Sequence, residues 1–263
     1  KPTTYTELHN NLGAGWEFNF SNIETTSDGS KYLHLSNGSA YKINITATVG
    51  DSNLDKYLLK DMRLETDSGS YSNGQKSSSY ILYYKNGAKE YFADDGRLLA
   101  IRDRYSNTIK FEHDTSVNGH PLITKITDTL DRITTISYQN VTNGKEVTIT
   151  APGNRITKLV QEQIPGYSGD YALKKIIDPE NRETTFTYSY DTGVFNFPSK
   201  TISGPSIAYA NLKEIKYPTK GLSRYTYQKA VGNLVNQGVN EYYRIQTRED
   251  IDGTISYNKD TYS

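Results

Sequence analysis

LKKIIDPENRETTFTYSYD, residues 173–191, carries the reading that decides the fold. From Thr185 to Tyr190 hydroxyls and aromatics alternate, so Phe186, Tyr188 and Tyr190 fall on one side of an extended chain and Thr185, Thr187 and Ser189 on the other. A period of two is the mark of a strand with one covered face. Ahead of it, Ile176-x-Asp178 leads over four steps to Arg182, a polar punctuation between two apolar runs. The same frame recurs outward in both directions. Clear copies are Ile101-x-Asp103 with Asn107 and Phe111, and Ile126-x-Asp128 with Arg132, Ile136 and Tyr138. Weaker ones are Ile149-x-Ala151 with Arg155, and Ile215-x-Tyr217 with Gly221, Tyr225 and Tyr227. Uneven spacing of the anchors at 103, 128, 151, 178 and 217 reads as a repeat with insertions.

Other segments alternate in the same way: Arg224–Tyr227, Val147–Thr150, Tyr41–Ile45 and Ile109–Glu112. Between strands stand Asp28-Gly29, Asn37-Gly38, Asn73-Gly74, Asn86-Gly87, Asp95-Gly96, Asn118-Gly119, Asn143-Gly144 and Asp252-Gly253. Each pair is expected to fill both central positions of a type I′ hairpin turn, where φ is positive twice. Helical spacing competes only in Asn53–Leu64, where Leu54, Tyr57, Leu58 and Met62 follow a possible Ser52 cap; Leu58, Met62 and Leu64 also fit a strand, which is the reading adopted.

The stretches Lys89–Asp114 (KEYFADDGRLLAIRDRYSNTIKFEHD), Ile123–Gln139 and Leu173–Asp191 resemble the tyrosine-aspartate (YD) repeats of the RHS family, and Tyr190-Asp191 supplies the dipeptide that names them. Upstream, Leu12–Phe20 (LGAGWEFNF) and the Asp28-Gly29 and Asn37-Gly38 region resemble the segment that precedes such repeats. The resemblance implies an all-β fold in which repeated antiparallel hairpins form a curled, elongated sheet. It implies a section 1–75 ahead of the repeats and repeats over 76–263, continuous with no hard boundary. It also implies a wall that encloses a C-terminal toxin or effector in a secreted or cell-surface bacterial protein. The self-cleaving core that usually follows such repeats is not recognisable here, so cleavage and toxin activity do not carry over.

Composition narrows the function. Thirty basic and thirty acidic residues cancel, which argues against a polyanionic partner such as nucleic acid. With 23 Tyr, 7 Phe and one Trp, this is not a disordered composition. Zero Cys excludes disulfides, thiolate nucleophiles and Cys-rich zinc sites. The longest apolar run, Tyr80–Tyr84, is far below the ~20 residues of a membrane-spanning helix. Lys1–Asn10 has no signal-peptide pattern, and the missing initiator Met reads as a piece of something longer.

His9, His34, His113 and His120 lack zincin spacing; His34 reads as an exposed strand residue, and His113 and His120 as loop residues flanking Asn118-Gly119. Gly166–Asp170 misses the nucleophile elbow, leaving Ser168 as turn material. Asp94-Asp95 and Glu249–Asp252 read as turn caps rather than calcium ligands. Asp103, Asp128 and Asp178 recur once per repeat, as a turn residue does and a catalytic group does not, with Arg132 and Arg182 as pairing partners. The expectation is no catalytic, cofactor or metal site and no enzyme activity. The alternative to a shell segment is a surface module that binds carbohydrate or protein through exposed Tyr, although Tyr188, Tyr190, Tyr225 and Tyr227 also suit cross-strand packing. The sequons at Asn37, Asn44 and Asn140 matter only in a eukaryotic source.

Overall fold

A computed structural model of the chain describes residues 12–26, 28–45, 51–114, 121–166, 169–194, 206–234 and 238–262. Among them are eighteen strands and no helix, hence no helix long and apolar enough to cross a membrane. The chain is all-β and its pairings are antiparallel, as the alternation predicts.

A three-stranded sheet comes first: β1 (Asn22–Thr25), β2 (Lys31–His34) and β3 (Ala40–Lys42). Fifteen strands then follow one another in a second sheet, each bonded to its neighbours in chain order. They are β4 (Met62–Thr66), β5 (Tyr80–Tyr84), β6 (Lys89–Phe92), β7 (Leu98–Arg102), β8 (Thr108–Asp114), β9 (Leu122–Thr127), β10 (Ile133–Val141) and β11 (Gly144–Ala151). Next come β12 (Arg155–Gln163), β13 (Tyr171–Ile177), β14 (Glu183–Val194), β15 (Ser206–Lys216), β16 (Leu222–Leu234), β17 (Gly238–Asp252) and β18 (Ile255–Thr261). The chain divides into two compact units. One comprises Phe18–Ile136 and Ala151–Gly153; the other comprises Lys1–Glu17, Ser137–Thr150 and Asn154–Ser263.

One turn geometry serves most tight connections. In Asp103–Asn107, Asp128–Arg132 and Asp178–Arg182 the first residue's N–H bonds the fifth carbonyl, and the fourth N–H bonds the first carbonyl. The fourth residue, Ser106, Asp131 or Asn181, is left-handed at φ 72°, 57° and 59°. The Asp supplies the rest: Oδ1 of Asp178 accepts the N–H groups of Glu180 and Arg182, both at 2.9 Å, and Oδ2 accepts Arg182 Nε at 2.6 Å. Asp128 does the same with Leu130 and Arg132, and Asp103 with Tyr105 and Asn107. These bonds hold all three carboxyls below the ordinary range, led by the Arg132 backbone N–H for Asp128, the Arg182 backbone N–H for Asp178 and the Asn107 side chain for Asp103. The recurring Asp is a turn residue.

Four of the Asx-Gly pairs adopt this geometry too, which corrects the type I′ expectation for them. In Thr26–Ser30, Leu35–Ser39, Tyr84–Ala88 and Ala93–Arg97 the same two backbone bonds form, and among the described residues of these turns only the Gly is left-handed. This is a type I turn closed by a bulge residue, so a single positive φ suffices. The Asx side chain accepts the N–H two residues on, as in Asn86 Oδ1 from Ala88 at 3.0 Å. Elsewhere Asn143 is left-handed while Gly144 opens β11, and Asp252 ends β17 before Gly253. Gly74 alone of its pair has positive φ, and Asn118-Gly119 lies outside the described residues.

The strand reading of Asn53–Leu64 holds only from Met62 onward. Asn53, Lys56 and Lys60 all have positive φ, near 58°, 59° and 55°, which neither strand nor helix tolerates, and Leu58 and Leu59 are exposed. This loop covers the outer edge of β4: Leu64 N–H bonds the Ser52 carbonyl at 3.0 Å, and Asn53 Nδ2 bonds the Leu64 carbonyl at 2.7 Å. Capping an edge strand in this way removes a template for unwanted pairing.

Eight residues beyond the first turn residue the frame places Phe111, Ile136, Leu159 and Phe186, each at most 8% exposed. Ten residues beyond the first turn residue stand His113, Gln161, Tyr188 and Tyr227, and the ladder to the next strand shifts register just before each of these four. An extra residue in one strand bends it and increases its twist. The ladders flanking the turns are correspondingly short: β7–β8, β9–β10, β13–β14 and β15–β16 each make three residue pairs, against ten in β14–β15 and thirteen in β16–β17. Beyond the third pair β7 and β8, β13 and β14, and β15 and β16 make no further ladder pairs, which leaves a notch between the two strands of each.

Candidate functional site

An opened ladder leaves strand carbonyls and N–H groups without partners, and buried backbone groups must find others. Within the unit containing β12–β18, Tyr188 fills this need between β13 and β14. Its hydroxyl donates to the Leu173 carbonyl at 2.8 Å and accepts Trp16 Nε1–H at 3.1 Å. Burial pushes the Tyr188 hydroxyl pKa well above its ordinary value, which keeps it a donor. The indole lies edge-on to Phe186, centroids 4.9 Å apart at 63°. Two residues earlier, Ala14 N–H bonds the Tyr171 carbonyl at 2.7 Å. Gly13 lies so close that a Cβ would sit 2.9 Å from Leu173 N, with φ at +95° as a second bar to other residues. Residues 12–17 thus act as a strap in this notch.

The other unit holds a second filled notch, between β7 and β8, built on the same frame. Ile23 N–H bonds the Gly96 carbonyl at 2.9 Å, and Phe20 lies edge-on to Phe111 at 4.9 Å and 68°. Gly96 and Tyr171 stand at the same place in their repeats, seven residues before Asp103 and Asp178, as do Phe111 and Phe186. A Cβ at Gly96 would fall 1.7 Å from the Ile23 carbonyl oxygen. Side-chain amides complete this notch. Gln75 brackets His113, accepting its N–H at 2.9 Å and donating to its carbonyl at 3.0 Å, while Asn73 Nδ2 donates to the Phe111 carbonyl at 2.7 Å.

His113 is therefore not a loop residue. It lies buried in β8, and desolvation lowers its pKa to about 4. His34 is not an exposed strand residue either: it is partly buried in β2, its Nε2 2.9 Å from Glu24 Oε2. His9, His120 and Ser168 lie outside the described residues. Asp95 forms a two-pronged bond with Arg97, and Lys76 bridges Asp94 and Asp95. Asp250 accepts Ser223 Oγ at 2.6 Å, and Glu249 accepts Ser256 Oγ. Among the described residues, no group of three or more His, Asp or Glu is placed to hold a metal ion.

Two further features have no counterpart in the sequence pattern. Glu90 is buried in β6 with its pKa raised by desolvation; Tyr84 donates to one carboxyl oxygen at 3.1 Å, and the other has no hydrogen-bond partner. An open depression of about 300 Å³ lies over Met62, Arg63 and Tyr83–Lys85, with charges of both signs around it and no converging acid–base pair. Tyrosines mostly bond backbone or pack: Tyr188 stacks on Tyr190 at 6.3 Å, and Tyr227 hydroxyl donates to the Leu212 carbonyl at 2.8 Å. Tyr105, Tyr217, Tyr257 and Tyr262 are the exposed ones among the described residues.

What the arrangement does chemically is hold backbone. Each filled notch takes one backbone N–H and one aromatic ring and turns an opened ladder into a closed surface. The single Trp and the Asn73-x-Gln75 pair are the sequence signals for it, and neither reveals its destination without the register of the strands. A scan against models of known protein families finds none that matches this chain, and a search of curated proteins finds no relative.

Proposed function

We propose that this chain is a non-catalytic wall section of an RHS-type shell, whose role in its complete protein is to enclose a C-terminal effector and keep it from its surroundings. The observation that carries this reading is the succession of fifteen strands bonded in chain order, with one turn geometry and one notch geometry recurring at the positions of the sequence repeat. Such an array covers area by adding units, each stabilised by its neighbours, without a central site. The closing of notches by residues 12–26 suits a wall, because an unfilled gap would admit water and protease. Secretion or surface display belongs to the same proposal and rests on the resemblance of the repeats.

The experiment is limited proteolysis of the complete gene product. The reading expects a non-repeat polypeptide that resists trypsin while the wall is native and is digested once about 4 M urea loosens it. A non-repeat part digested equally fast in both states, or a gene product made of repeats alone, overturns the reading.

A further inference from the structure

Among the described Asp and Glu residues Glu90 alone is buried, at 8% exposed. Its ladder partners are Leu82 on β5, beyond which stands Leu64 on β4, and Ile101 on β7, so the carboxyl has apolar neighbours on both flanks. Tyr84 donates to Oε1, while Oε2 has no hydrogen-bond partner. Beside it comes Ser21, from the segment that fills the β7–β8 notch; this residue is 3% exposed and its Oγ also has no hydrogen-bond partner. Burial raises the Glu90 pKa, against the smaller opposing pull of the Ser21 and Tyr84 hydroxyls. The charged groups of the surrounding elements are engaged elsewhere. Arg63 pairs with Glu65 on β4, Lys89 lies over the Tyr83 ring, and Arg102 of β7 lies over Tyr71 and Tyr91. Asp95 is held by Arg97, Glu24 by His34, and Lys31 lies over the Tyr80 ring. None of them contributes to the Glu90 shift.

We propose that Glu90 and Ser21 form a pH-gated latch: the neutral carboxyl keeps residues 20–23 seated against β5–β7, and its ionisation releases them. A proton on Oε2 can be donated to Ser21 Oγ, which gives both orphaned oxygens a partner. An ionised carboxylate in the same place has two hydroxyls near it and no cation, so it is stabilised only by admitting water. Water has one easy way in. Each of β5 and β7 holds β6 through four residue pairs, whereas residues 20–23 are tied to the notch by the Ile23–Gly96 backbone bond and the packing of Phe20 on Phe111. The cover is the less firmly held side and opens first. The latch is complete below the ordinary carboxyl value of 4.5 and weakens as pH rises through the raised one. It belongs to the packing of this unit and does not depend on what the complete protein encloses.

The test is amide hydrogen exchange of the full chain, parent against Glu90→Gln, which keeps the size of the side chain and cannot ionise. The ratio of Ile23 protection in the parent to that in the variant should fall as pH rises from 4.5, about tenfold for each unit by which burial raises the pKa, and then level off. Amides of the β5–β6 ladder should keep their protection throughout. His113 is common to both proteins and cancels in the ratio. Should Glu90→Gln fail to fold, Tyr84→Phe takes its place: it removes a donor that favours the carboxylate, so Ile23 protection should level off at a higher pH than in the parent. A ratio independent of pH, a levelling point unmoved by Tyr84→Phe, or ladder amides that lose protection in step with Ile23 overturns the proposal.

Discussion

Tyr188→Phe removes one oxygen and leaves two partners behind. The Leu173 carbonyl and the Trp16 indole N–H, at 2.8 and 3.1 Å, lose their bonds while the ring that packs on Tyr190 stays in place. A typical intramolecular hydrogen bond contributes about 1 kcal/mol net, and stranded groups cost about 1–3 kcal/mol each when water cannot reach them. The site is only partly buried, so the lower figures apply and the loss is about 2 kcal/mol. With a urea slope of about 2 kcal/mol per M, the midpoint falls by about 1 M. The chain has one Trp, so Trp16 fluorescence reports this notch and not an average over the array, which matters because a repeat array need not unfold in one step. Tyr227→Phe, which strands only the Leu212 carbonyl, should shift stability by about half as much. A Tyr188→Phe midpoint within about 0.2 M of the parent would refute the reasoning.

Four further outcomes follow from the same geometry. His113 has its pKa lowered to about 4, so its neutral form is the one the fold prefers; its contribution is complete above the unfolded value of 6.5 and is lost as pH falls through 4. That difference is worth about 2–4 kcal/mol, and His113→Leu should flatten urea midpoints measured from pH 7 to 4. Glu90, raised by burial, works in the opposite sense: stability present below its unfolded value of 4.5 declines as pH rises through its raised pKa, and Glu90→Gln should abolish that decline in the same titration. Gly96→Ala places a Cβ 1.7 Å from the Ile23 carbonyl oxygen and should cost about 3 kcal/mol or expel residues 18–26 from the notch, seen as loss of Ile23 amide protection. Lys220, left-handed at φ 72°, should become more stable by about 0.5–1 kcal/mol as Gly, measured by thermal unfolding.

The alternation of Thr185–Tyr190 and the recurring Asp frame were enough to read the fold class and the turn role of Asp103, Asp128 and Asp178. Both are local: a period of two and a side chain bonding its own turn need no distant partner. The type I′ expectation failed because Asn-Gly suits two turn families, and what separates them is whether the residue before Gly takes positive φ, which composition does not record. Asn53–Leu64 misled because apolar spacing was weighed without left-handed residues; Asn53, Lys56 and Lys60 adopt that conformation with no Gly to announce it. His113 reads as loop by its nearness to Asn118-Gly119, yet it is the copy of Tyr188 in its own repeat. The notches were illegible for a different reason. They depend on where ladders stop and on which segment, far away in sequence, arrives to fill them.

Residue-resolved amide hydrogen exchange tests the central claim, that residues 12–17 fill the β13–β14 notch and residues 20–23 the β7–β8 notch in the same way. Ala14 and Ile23 bond carbonyls across the notches, and His113 is bracketed by Gln75, so all three amides should exchange as slowly as those in the β14–β15 ladder. Ala14 and Ile23 exchanging at free-peptide rates while the ladder stays protected would contradict the account.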